Sequence, residues 1–163
     1  MSFTPRPALS GRSLHRFTND TISVDLLIPD HLPRHLSTRL LGHEPAHIAG
    51  GQRALDRAHA VAVLLDQVQV TVPVPDLTGA LVIKALVRAY VADSRDTDRH
   101  ADIAFLCSLI DDPRGIRSGL DRNEHRYLRK TDLNADPTKL PWATLDRPAR
   151  ADAAEAWTTL IAD

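Results

Sequence analysis

Two histidines stand four positions apart with a glutamate between them in the stretch LLGHEPAHIAGG: His43, Glu44 and His47. On one face of a helix that spacing brings two imidazoles to a single zinc ion. The glutamate then acts as general base on the metal's water. Gly50 even falls where the extended form of the pattern has its glycine. The spacing has meaning only on a continuous helix, and Pro45 stands inside it. A proline there removes a hydrogen bond and clashes with the preceding turn, at a cost of about 3 kcal/mol, and it pushes Glu44 toward extended geometry. Gly42, Gly50 and Gly51 punctuate the flanks, and the place of the third ligand is taken by Arg53. No zinc site is expected. The stretch reads as an irregular loop with a short extended piece and exposed histidines. His31 and His35 share the spacing and fail the same test, because Pro33 lies between them.

The remaining reactive side chains are few. Cys107 is the sole cysteine, which rules out an internal disulfide and a cysteine-based metal site. It sits in the apolar run IAFLCSLI and reads as a small core residue. Neither a dinucleotide-binding glycine pattern nor a P-loop is present. The most basic run is DRNEHRYLRK at 121–130, with Arg114 and Arg117 just before it. As a nucleic-acid face it would bring Arg122, Arg126, Arg129 and Lys130 to phosphate, with Tyr127 available for stacking. Against that stand the neighbours Asp121, Glu124 and Asp132 and a formal net charge of −1, so a solvated helix face is the expectation.

Behind these residues must stand elements that hold them. A chain of 163 residues with 43% hydrophobic and 25% charged residues is expected to form one domain with a real core. Aromatics are only 4%, so that core rests on Leu, Val, Ile and Ala. No run is long and apolar enough to span a bilayer, and the N-terminus lacks a secretory apolar segment, so a cytoplasmic protein is expected. Residues 1–11 read as a flexible lead-in. SLHRF and TISVDLLI read as two strands around a tight turn at TND, the second ended by Pro29 with Ile22, Val24, Leu26 and Ile28 on one face. Residues 30–51 are irregular, and Gly50-Gly51 opens a short helix, QRALDRAH. AVAVLL and VQVTVPV, joined by Asp66-Gln67, form a second hairpin.

From Asp76 the period becomes helical. Asp76 is a natural N-cap for LTGALVIKALVRAYVAD, and a charged elbow, DSRDTDRH, leads to HADIAFLCSLID. Asp112-Pro113 starts a short helix, Asp121 caps RNEHRYLRK, and a last helix begins near Asp146 to Pro148. The expected fold is α+β: a small, mostly antiparallel sheet of two hairpins over 12–75, then a bundle of four to five helices over 76–163.

TISVDLLIPD, VPDLTGALVIKALVRAY and RDTDRHADIAFL together resemble the later part of nucleotidyltransferase-like proteins of the AbiEii type. These belong to the DNA polymerase β-like superfamily, and many are toxins of toxin–antitoxin pairs. The resemblance covers roughly residues 12–130. It implies that Asp25 is the family's third carboxylate, holding a divalent metal such as Mg²⁺ on the sheet. It implies that Lys84 is the helix lysine reaching nucleotide phosphates, with Arg88 one turn beyond, and that Asp102 is the aspartate of the following helix. A strand carboxylate suits Mg²⁺, and a lysine among apolar helix residues can place a point charge on phosphate. Each also has a plainer reading. Asp25 can lie on a solvated strand face, Lys84 can snorkel over its apolar neighbours, and Arg88 can pair with Asp102.

The departures from that family matter as much. Its chemistry needs a Gly-Ser turn followed by a paired D-x-D on a strand, so that two metals align the nucleotide. Only twenty-four residues precede Asp25, and the one acidic residue among them is Asp20. The D-x-D spacing occurs at Asp96 and Asp98, in the polar elbow between helices. The chain therefore looks like the family's second half without its catalytic first half. It is expected to be a degenerate binding or regulatory protein, a shortened product, or one part of a site completed by another chain. Alone, it is not expected to transfer nucleotides. The partners that the resemblance implies are a nucleotide or tRNA and an antitoxin or other protein. An edge once paired with missing strands would also be covered, most simply in a homodimer.

Overall fold

The computed structural model describes residues 4–7, 13–30, 32, 39, 41, 43–90, 96–131 and 133–163. The architecture is mixed α+β, with small sheets and six α-helices among the described residues. The chain divides into two compact units, Met1–Gln52 and Arg53–Asp163.

The first unit is a short-stranded sheet: β1 (Thr4–Pro7), β2 (Ser13–Thr18), β3 (Ser23–Asp25), β4 (Leu27–Pro29) and β5 (Glu44–Ile48). Residues 4–7, read from the sequence as lead-in, pair antiparallel with β2 instead. The turn expected at Thr18–Asp20 forms because the Asn19 side-chain oxygen accepts from the N–H groups of Thr21 (3.0 Å) and Ile22 (2.7 Å). β2 and β3 then pair antiparallel, as the alternation predicted. The strand expected to run through to Ile28 is broken at Leu26, and β4 turns to pair in parallel with β5. Ile22, Val24 and Leu26 remain exposed at 40–48%.

HEPAH lies largely within β5. Pro45 is buried and His43 and His47 are exposed, which is the extended reading of this stretch. At about 3.3 Å per residue the strand holds the two histidines roughly 13 Å apart, beyond the reach of one metal ion. The flanking glycines have local reasons. Gly50 has φ 78° and donates its N–H to Asp30 Oδ2 at 3.0 Å. A Cβ on Gly51 would lie 2.8 Å from the Pro29 Cα. The helix that follows, α1 (Gly51–Asp56), is shorter than expected, because Ala58 already begins a strand.

In the second unit β6 (Ala58–Leu65) and β7 (Val68–Pro75) form the expected hairpin around Asp66-Gln67. Both turn residues have positive φ, 46° and 69°, the geometry that lets a two-residue loop match strand twist. The helices follow: α2 (Leu77–Tyr90), α3 (Asp96–Cys107), α4 (Pro113–Ser118), α5 (Arg122–Lys130) and α6 (Arg147–Ile161), with a 3-10 turn at Trp142–Thr144. Asp76, Asp112 and Asp121 cap α2, α4 and α5 through their carboxylates, at 2.6 Å to Gly79 N, 2.9 Å to Gly115 N and 2.8 Å to Glu124 N. Asp96 and Asp98, placed in the elbow by the sequence, fall in the first turn of α3. The elbow's residues 91–95 lie outside the described residues.

One core binds these helices. Leu81 and Ala85 of α2 meet Ile103, Ala104 and Cys107 of α3, closed by Leu128, Trp142, Trp157 and Leu160, all fully buried. On α6, Ala153, Ala154, Ala156, Trp157 and Leu160 give the i, i+3, i+4, i+7 stripe that a helix needs to bury one face. The two tryptophans fill the volume that scarce aromatics leave to them.

Candidate functional site

Three of the residues singled out by the resemblance, Asp25, Lys84 and Asp102, take part in two ion pairs. Asp25 lies opposite Arg16 in the β2–β3 register. Arg16 donates from Nε to Oδ1 and from Nη2 to Oδ2, both at 2.7 Å, so the carboxylate is gripped on both oxygens. The hydrogen bonding and charge of Asp25 raise the Arg16 guanidinium above its ordinary value. On the other unit, packing of α2 against α3 brings Lys84 to Asp102, with Nζ 2.6 Å from Oδ2. Both pairs face solvent, with side chains 38–51% exposed. Asp102 thus pairs across the helices with Lys84. Arg88 continues α2 one turn beyond Lys84, and its side chain lies outside the described residues.

A third cluster is buried, and sequence reasoning missed it. Glu124 is 3% exposed in the first turn of α5. Arg57 donates to it from Nε at 3.2 Å and from Nη2 at 2.9 Å, and to the carbonyl of Gly119 at 3.2 Å. The Asp121 N–H also reaches Glu124 at 2.9 Å and completes a capping box. Arg53 pairs with Asp121 and lies 3.7 Å from Glu124. Burial pushes the Asp121 carboxyl up, but the Glu124 N–H and the Arg53 guanidinium outweigh it and hold the group below its ordinary value. Arg57 immediately precedes β6, and its carbonyl accepts from Asp76 N–H at 3.0 Å just after β7. The cluster therefore ties the base of the hairpin to the helical core. The D-R-N-E spacing at 121–124 carried the signal for the cap, while nothing local pointed to Arg57.

The basic residues of α4 and α5 line an open groove of about 700 Å³ together with α6. Its walls include Arg114, Arg117, Arg122 and His125, and Ser118, Thr158 and Thr159 add hydroxyls. A second trough of about 330 Å³ adjoins it, lined by Arg122, His125, Arg126, Arg129 and Lys130. Arg126 lies over the Tyr127 ring, 5.3 Å from its centroid. Cys107 is buried in the core, and burial pushes its thiol up to about 12, so it is no nucleophile.

No family model, curated protein or solved structure matches this chain. Among the described residues, no helix is long and apolar enough to cross a membrane.

Proposed function

We propose that the chain is a nucleotidyltransferase-like protein without a complete catalytic centre, acting as a binding or regulatory protein in a toxin–antitoxin or related setting. Support comes from the sequence resemblance and from one structural observation. The carboxylate and lysine that would hold metal and phosphate are each engaged by a partner within the chain, Asp25 by Arg16 and Lys84 by Asp102. A carboxylate gripped on both oxygens by a guanidinium must give up two charge-assisted bonds before it can ligate Mg²⁺. The proposed partners are a nucleotide or tRNA, a protein such as an antitoxin, and a second copy of the chain.

A second reading is an active nucleotidyltransferase whose missing motif comes from another chain or a longer gene product. The exposure of both ion pairs favours it, since solvent-facing pairs are screened and readily released. Titration of Mg²⁺ and a nucleoside triphosphate, followed by the amide signals of Asp25 and Lys84, tests the first reading. No specific shift at millimolar Mg²⁺ is expected. Saturable shifts at both residues that vanish in Asp25→Ala would overturn it.

A further inference from the structure

We infer that the groove formed by α4, α5 and α6 binds the phosphodiester backbone of a single-stranded nucleic acid. The inference does not depend on Asp25 or Lys84, which lie on other elements. It reverses the expectation drawn from the sequence, where Asp121 and Glu124 were counted as neutralising the arginines of α5. In the fold those two acids turn to other partners. Glu124 is buried against Arg57, and Asp121 is taken by Arg53 and by the N–H groups of α5's first turn. Asp132, the third such acid, lies outside the described residues. Among the described residues lining the first trough Asp121 is the one carboxylate, already engaged by Arg53, and Asp163 beside it is held by Arg129.

The cations facing the groove are left over. Arg114, Arg122, Arg126 and Lys130 have no ion-pair partner among the described residues. Arg122, Arg126 and Lys130 recur every fourth residue along α5, about 6 Å apart in rise, so they form one row of positive charge. Arg114 and Arg117 come from α4 across the first trough. The groove already accepts acceptors from the chain itself. Arg117 donates to the carbonyl of Ala162 at 3.2 Å, and Arg129 pairs with the Asp163 carboxylate.

A second observation is independent of charge. His125 lines both troughs, and its Nε2 is buried with no hydrogen-bond partner. An unsatisfied buried polar atom at a charged groove is a position that a ligand's polar group can satisfy. The hydroxyls of Ser118, Thr158 and Thr159 offer further donors to phosphate or ribose oxygens. An acidic peptide would need pockets for its side chains, and the apolar lining of the first trough amounts to Leu120 and Ala162. Tyr127 is covered by Arg126, so recognition falls on the backbone and is tolerant of sequence.

The test is fluorescence anisotropy of a labelled single-stranded RNA of roughly 20 nucleotides, with a log–log salt slope of about −3 expected from about four neutralised phosphates. The triple variant Arg122→Gln/Arg126→Gln/Lys130→Gln, which breaks no ion pair among the described residues and gives up only the Arg126–Tyr127 stacking contact, should keep its circular dichroism and lose at least tenfold in affinity. Its slope should fall by about 2. His125→Ala should weaken binding while leaving that slope unchanged. Polyglutamate and phosphatidylserine vesicles serve as competitors. Competition by either at equal charge would reassign the groove to an acidic peptide or a membrane surface. Absence of binding at about 25 mM salt, unaltered binding by the triple variant, or loss of binding in Lys84→Gln alone would each overturn the proposal.

Discussion

Two ion pairs with similar distances do different work because of where they lie. Lys84–Asp102 is half in water, and its charges are screened. Glu124 is almost fully buried, and among the described residues its charge is balanced by Arg57 and Arg53. Removing the charge there strands the Arg57 guanidinium beside a desolvated site, while Arg53 keeps Asp121. Glu124→Gln should cost about 3 kcal/mol of unfolding free energy in urea titration, whereas Lys84→Gln should cost about 1 kcal/mol or less. Equal costs would place the fold's key electrostatic contact elsewhere. Capping residues were legible at this scale, because Asp76, Asp112 and Asp121 act on N–H groups two or three positions away. Glu124's partner was not, because Arg57 is brought to it by the hairpin and helices together and no local spacing records that meeting.

The hairpin β6–β7 carries an internal conflict. Its turn needs positive φ at two positions, a geometry that Gly and Asn adopt easily, yet Asp66 and Gln67 occupy it. Gln67→Gly should relieve the left-handed strain and raise stability by about 1 kcal/mol, read from the midpoint of thermal or urea unfolding. No gain would mean that the turn is not a two-residue loop. The hairpin was plain in the sequence, since two valine-rich runs flank a polar pair. HEPAH was half legible. Pro45 excluded the helix, but pairing of β5 between β2 and β4 depends on strands far away in sequence. The break at Leu26 was hidden for the same reason: alternation continued through it, and only the parallel partner decides where a strand turns. The elbow placed at Asp96 and Asp98 was misread because its charges look like a loop, although acidic residues also suit the first turn of a helix.

Among the described residues of the second unit, two surfaces stand out. One is the basic groove of α4–α6. The other is the hairpin, where Val63, Val68, Val70, Val72 and Val74 stay 37–62% exposed and the β6–β7 sheet has only two strands. An uncharged face of this kind fits a second copy of itself, because a twofold axis sets identical valines against one another without stranding a charge. Multi-angle light scattering at about 100 μM should report a dimer, and Val70→Lys/Val72→Lys should return it to monomer. A clean monomer at that concentration contradicts homodimerisation through this face.

The proposal that the chain recognises and does not catalyse draws its structural support from the engagement of Asp25 by Arg16 and of Lys84 by Asp102. Its most direct test is incubation of the isolated chain with each α-labelled nucleoside triphosphate, Mg²⁺ or Mn²⁺, and total tRNA. The account predicts no label transferred to RNA or to protein. Robust labelling by the wild-type chain that Asp25→Ala abolishes would contradict it.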